Sequence, residues 1–203
     1  MTDNETDCLR PLAEPDLALV RSWRNHESVR RYMYTQHEIG EKEHRDWFAR
    51  CELDPLRHLL VYDVDDQPRG FVHFTVQGAG RVADWGFYIA PEAPRGTGTG
   101  LGRRALEFAF QRLQLHKICG QALGFNQRSI DFHRKMGFCQ EGVLRDQHFD
   151  GQQFHGQQAG EGNHQAHHHG QFGSLDKDAT DHGAVPPLLS VAAGAFVLSV
   201  SSF

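Results

Sequence analysis

The residues best equipped for chemistry stand together in Arg95-Gly96-Thr97-Gly98-Thr99-Gly100-Leu101-Gly102. Alternate glycines let a backbone take positive φ and bring several N–H groups up to one ligand. LGRRALEFAFQRLQ follows with helical periodicity. The loop therefore opens a helix, whose first N–H groups are unsatisfied and whose dipole adds roughly half a positive charge. That combination holds a diphosphate; the plainer reading is a flexible glycine turn. It is not a P-loop, because no Gly-Lys-Ser/Thr follows. A dinucleotide fingerprint also fits poorly, because the preceding strand does not open a βαβ unit and no acidic residue closes the next one.

The elements that must carry this loop are legible on both sides of it. A strand near Cys8–Pro11 leads to a helix with Pro15 in its first turn and Leu17, Val20 and Trp23 at helical spacing. Short helices are expected at Glu27–Met33 and from about Glu41 to Glu52. HLLVYDVDDQPRGFVHFTV reads as a β-hairpin about Asp65-Asp66-Gln67-Pro68. VADWGFYIAP is a strand stopped by Pro91, and it feeds the glycine loop and the long helix. KICGQAL is a strand, NQRSIDFHRKMGF a helix ended by Gly137, and CQEGVLRDQHF a strand. Asp150-Gly151 signals a turn into one more. Three consecutive strands in the middle exclude a doubly wound Rossmann sheet, leaving a mixed α/β (α+β) fold.

Composition bounds the partners. The chain has 203 residues, 39% hydrophobic and 23% charged, enough for one packed domain with length to spare. Its net charge of −5 argues against nucleic acid or an anionic membrane as the main partner. MTDNETDCLRPLAEPD lacks the basic and apolar regions of a secretory signal. Cys8, Cys51, Cys119 and Cys139 form no CxxC pair. They fit buried thiols in a reducing cytoplasm better than a zinc site, and no metal is expected.

Arg95-x-x-Gly98-x-Gly100 after FYIAP resembles the acetyl-coenzyme A motif of the GNAT N-acetyltransferase superfamily. Asn126-x-x-Ser129-x-x-Phe132-His133-x-Lys135-x-Gly137-Phe138 resembles its second motif, in the right order and at the right distance. The resemblance covers about residues 8–150. It implies a mixed central sheet, splayed in the middle and flanked by helices. WRNHESVRRYMY, His44, Trp47-Phe48 and FAFQRLQLHKI narrow it to enzymes that acetylate the 4-amino group of a UDP-4-amino-4,6-dideoxy sugar in pseudaminic acid synthesis. The ribosomal-protein alanine acetyltransferases share the later motifs, and a non-catalytic coenzyme A-binding domain is the rival of another class.

The resemblance also implies roles. The acetyl donor is acetyl-CoA, attacked directly by a neutral amine. Phe87, Tyr88 and Ile89 offer backbone groups to the pantetheine. Gly96, Thr97, Gly98, Thr99, Gly100 and Leu101 hold the pyrophosphate through N–H groups, with Arg95 adding charge. Asn126 and Ser129 fix the pantetheine arm. Many relatives carry a tyrosine as general acid where this chain has His133. Imidazole titrates near neutrality and can replace it; otherwise His133 is a coenzyme-contacting or core histidine. Asp84 and His73 are candidate bases, or plain turn and sheet-face residues. Arg24 and His44 fall at the acceptor mouth, with Asn25, His26 and Tyr34 as weaker candidates; the rival role for Arg24 is a helix-end ion pair. A homodimer is compatible with the resemblance.

The last quarter breaks the pattern. Residues 1–150 carry 20 basic and 22 acidic side chains, whereas 151–203 carry one lysine, Lys177, and four acids. The domain is accordingly expected to span 1–155, followed by an atypical, disordered tail at 156–203. Gly, Gln and His dominate where the family needs a final strand, so that strand reads as disrupted and the tail as a product of another reading frame. His164-x-x-His167-His168-His169 lacks the cysteines or carboxylates that would complete a metal site. Leu188–Phe203 falls short of the roughly 20 residues that span a bilayer.

Overall fold

The computed structural model describes residues 6–78, 81–145, 148–149, 154–155 and 194–201. In chain order the elements are β1 (Asp7–Pro11), α1 (Leu17–Asn25), α2 (Glu27–Arg30), α3 (Glu41–Glu52), β2 (Arg57–Val64), β3 (Gln67–Gln77) and β4 (Val82–Ile89). Then come α4 (Thr97–Glu107), β5 (Lys117–Leu123), α5 (Gln127–Lys135), β6 (Cys139–Arg145), β7 (His148–Phe149), β8 (Phe154–His155) and β9 (Gly194–Ser201). The β2–β3 hairpin turns on Asp65 and Asp66, both at positive φ (51° and 58°). That conformation matches a two-residue turn to the twist of its strands, and aspartate tolerates it.

Seven strands form one sheet in the order β1-β2-β3-β4-β5-β9-β6. Every neighbour is antiparallel except β4 and β5. Strand periodicity divides the core in two. On one face Val72, Phe74, Ala83 and Trp85 pack with Leu101 and Ala105 of α4 and Ile130 of α5. On the other, Val61 and Phe71 pack with Leu17, Val20 and Trp23 of α1. The central pair is open: β4 and β5 are in register only from Val82↔Lys117 to Asp84↔Cys119. The mixed, splayed sheet with flanking helices is therefore the fold that the resemblance implies.

One expectation is overturned. The sheet does not lack its last strand, because β9 pairs with β5 from Lys117↔Ser201 to Leu123↔Ala195 and with β6 from Cys139↔Ser199 to Arg145↔Gly194. The physical reason lies in AFVLSVS, an uncharged run rich in β-formers whose period puts Leu198 into the main core, fully buried. Ser199 points the other way and donates to Glu141 Oε1 at 2.6 Å. Glu141 also pairs with Lys117 at 2.7 Å, so a polar cluster spans β5, β9 and β6. Residues 156–193, with the histidine cluster, lie outside the described residues.

The edge near the glycine loop is tied by charge. Asp7 accepts from Arg104 at 2.6 and 2.8 Å, from Arg103 at 3.0 Å and from the Tyr62 hydroxyl at 2.9 Å. Burial alone would raise the Asp7 carboxyl, but the Arg104 and Tyr62 hydrogen bonds outweigh it and hold it below the usual range. Such a group stabilises the fold above the unfolded aspartate value of about 3.9, and its contribution fades as pH falls through the lower folded value. Melting temperature should therefore fall on acidification below about pH 4, and D7N should be less stable at pH 7 with a shallower acid limb. Parallel limbs in the two melting profiles would remove Asp7 from that account.

Candidate active site

The glycine loop forms the N-terminus of α4. Gly96 caps it at φ +99°, a conformation that side chains resist. Thr99 and Gly100 turn their N–H groups onto the Gly96 carbonyl (2.8 and 3.2 Å), and Thr97 turns its own onto Pro94 (3.3 Å). Gly96 and Gly98 make no such backbone bond among the described residues. A Cβ at Gly98 would meet nothing closer than Ile89 at 3.8 Å, so the Gly98 amide is approachable. Gly100 differs: a Cβ there would sit 2.2 Å from the Tyr62 hydroxyl oxygen. Its glycine serves close packing. Leu101 is fully buried under the sheet, and Arg95 is exposed beside the loop.

Beyond Asp84 the β5-facing backbone of β4, over Phe87, Tyr88 and Ile89, has no strand partner among the described residues. Unpaired N–H and C=O groups on an opened edge suit an amide-bearing arm laid alongside. Asn126 and Ser129 stand at the start of α5, just after β5 ends. The Asn126 Oδ1 caps that helix by accepting from the Ser129 N–H at 3.2 Å. The approachable loop amides and this free edge fit a pyrophosphate joined to a pantetheine, which supplies the acetyl thioester.

His133 does not stand as a free acid. It is 2% exposed, and each ring nitrogen has a partner. Nδ1–H donates to the Ser129 carbonyl at 2.7 Å, and Nε2 accepts from Trp85 Nε1–H at 3.2 Å. That pairing fixes the neutral tautomer, and burial pushes the imidazole below its ordinary value despite the Ser129 bond. While these bonds hold, neither ring nitrogen is free to hand a proton to a ligand. The general-acid reading of the sequence gives way to a packed, hydrogen-bonded core histidine.

The opposite face of the sheet, under α1 and α3, carries residues that the sequence resemblance places at the acceptor mouth. Arg24 donates through Nη2 to the Thr35 carbonyl at 2.8 Å, while its Nη1 is buried with no partner among the described residues. Burial holds the guanidinium below its usual range, opposed by Tyr88 and reinforced by Arg30. The ion-pair reading of Arg24 does not hold among the described residues. His44 is buried and stacks on Trp47 at 5.0 Å; burial, then Arg21 and Arg24, push its pKa down. Tyr34 donates to Gln121 Oε1 of β5 at 2.9 Å, linking the loop before α3 to the open strand.

Asn25 and His26 lie nearby but are otherwise occupied. The Asn25 amide clamps Ile39 through two hydrogen bonds, at 2.8 and 2.9 Å, and His26 Nδ1 accepts from Ser28 at the start of α2. His73 and Asp84 are diagonal neighbours on β3 and β4. His73 lies over Gly86, where a Cβ would come within 2.4 Å of its ring, and burial pushes it down to about 4. Asp84 accepts a hydrogen bond from Gln77. Three contacts were not legible beforehand. Trp85 partners His133 across 48 residues, Gln121 meets Tyr34 across 87, and Lys135 reaches Thr99 at 3.4 Å, bringing a cation to the glycine loop.

A sheet parted beside a glycine-rich helix N-terminus suits a ligand that joins a diphosphate to an amide-bearing arm. The chain belongs to the GNAT acetyltransferase domain family, whose model matches residues 8–139. It is thus an acetyl-CoA-using acyltransferase. Spermidine N(1)-acetyltransferase of Escherichia coli K12 is 29% identical over 143 residues, covering 70% of this chain and 77% of that protein. Acetyltransferase PseH of Campylobacter jejuni is 23% identical over 127 residues, covering 63% and 79%. A crystal structure of spermidine N-acetyltransferase from Vibrio cholerae with CoA and spermine superimposes with a TM-score of 0.72 at 18% identity, covering 96% of this chain and 95% of that one. No helix among the described residues is long and apolar enough to cross a membrane.

Proposed function

We propose that this acetyltransferase acts on the primary amine of an anionic acceptor, a UDP-4-amino-4,6-dideoxy sugar. The observation that carries the reading is Arg24 Nη1, a buried donor without an acceptor among the described residues. A buried unsatisfied donor costs about 1–3 kcal/mol, more when charged, and a phosphate oxygen relieves that cost. A polyamine offers only cationic or donor nitrogens, so it leaves Arg24 unsatisfied and adds repulsion from Arg21, Arg24 and Arg30. The spermidine reading has its own support in the 29% identity with the Escherichia coli enzyme.

In the transfer the amine nitrogen forms a bond to the acetyl carbon and the C–S bond breaks. The amine gives up a proton and the thiolate takes one. The chain's part is placement: loop amides and Lys135 hold the phosphates, the free edge of β4 holds the arm, and Arg24 holds the acceptor. His73 and Asp84 are the candidate acceptors of the amine proton, and solvent protonates the thiolate.

Initial rates with the UDP-4-amino sugar, spermidine and an alanine-initiated peptide test the assignment. The expected order puts the sugar nucleotide first, and R24Q should raise its KM about 10- to 100-fold with a smaller change in kcat. Faster turnover of spermidine, with R24Q improving it, would establish the polyamine reading instead.

A further inference from the structure

Trp85 and Gly120 are the first residues past the last paired register of β4 and β5, the point at which the sheet opens. Backbone irregularity does not explain the opening, because β4 matches β3 residue for residue from Val82 to Ile89 without a register shift. Side chains span the fork on its core face instead. A Cβ at Gly120 would lie 2.7 Å from both Trp85 Nε1 and His133 Nε2, the two atoms that share a hydrogen bond. The bonded pair therefore rests directly on the β5 backbone where β5 leaves β4.

The pair is braced from behind. His133 is held by the Ser129 carbonyl and meets Phe132 and Phe138 edge-on, with centroids at 5.8 and 4.9 Å. Trp85 stacks on Phe138 at 5.0 Å. In such an apolar box neither polar atom has another partner, so separating them leaves both unsatisfied. Closing the fork would drive Gly120 into this unit.

We propose that the Trp85–His133 hydrogen bond is the wedge that sets the gap between β4 and β5 and so places the strand edge that receives the coenzyme arm. His133 is then a positioning residue that acts through the sheet.

Acetyl-CoA binding, measured by calorimetry below the melting temperature of each variant, tests the wedge without involving any acceptor. W85F removes the donor and H133F removes the acceptor; each should weaken binding about tenfold, and W85F/H133F no further than either alone. H133Q can accept from the indole and donate to the Ser129 carbonyl. It should stay within about twofold of the parent, with the same kcat–pH profile. Should H133F fail to fold, W85F carries the test. Unchanged affinity in W85F would overturn the wedge. So would an H133Q enzyme that binds acetyl-CoA normally yet loses turnover together with one limb of its pH profile, because that outcome makes His133 the acid.

Discussion

Deleting residues 194–203 should leave a chain with no cooperative thermal transition. β9 lies inside the sheet, hydrogen-bonded to β5 on one side and β6 on the other. Its loss orphans two ladders at once, each buried unpaired group costing about 1–3 kcal/mol, against a total stability of about 5–15 kcal/mol for a domain. L198A isolates the packing share: Leu198 is fully buried in the main core, so truncation should cost about 2–5 kcal/mol in urea denaturation. A deletion that melts as sharply and as high as the parent would place β9 outside the folded unit. The same experiment bears on the idea of a change of frame after residue 155. Two observations motivated that idea, loss of arginine and loss of strand pattern, and β9 removes the second for its own eight residues.

What the sequence disclosed follows the range of the forces involved. The β2–β3 hairpin and α3 were legible because their determinants are local: Asp65-Asp66 at the turn, and the run from Glu41 to Glu52 after Gly40. The glycine loop was legible for the same reason, its φ requirement and helix start lying within a few residues. His133 was not. Its role rests on burial and on Trp85, 48 residues away, and neither leaves a mark on the motif around it. Asn25 is similar, because its partner Ile39 contributes only backbone atoms, which no residue type announces. The last strand was hidden by distance. A short apolar run fits a membrane fragment, a helix segment or a buried strand equally, and only a vacancy between β5 and β6 decides among them.

The loop's two central glycines should separate folding from binding when each is changed to alanine. At Gly98 a methyl meets only Ile89, at 3.8 Å, and alanine in a first helical turn removes unfolded-state entropy. G98A should therefore be as stable as the parent or up to about 1 kcal/mol more stable. The same methyl stands over the amide that a pyrophosphate must approach, so acetyl-CoA affinity should fall about 10- to 100-fold. Gly100 should behave in the opposite way. Its Cβ would lie 2.2 Å from the Tyr62 hydroxyl, and Tyr62 cannot swing clear, being 2% exposed and bonded to Asp7 at 2.9 Å. G100A should cost about 1–3 kcal/mol through overpacking and loss of the Tyr62–Asp7 bond. Urea denaturation and calorimetric titration of both variants resolve the matter. If G98A binds acetyl-CoA as the parent does, the pyrophosphate does not lie against Gly98. If G100A keeps full stability, Tyr62 has a second position and the Asp7 cluster is less rigid than its distances imply.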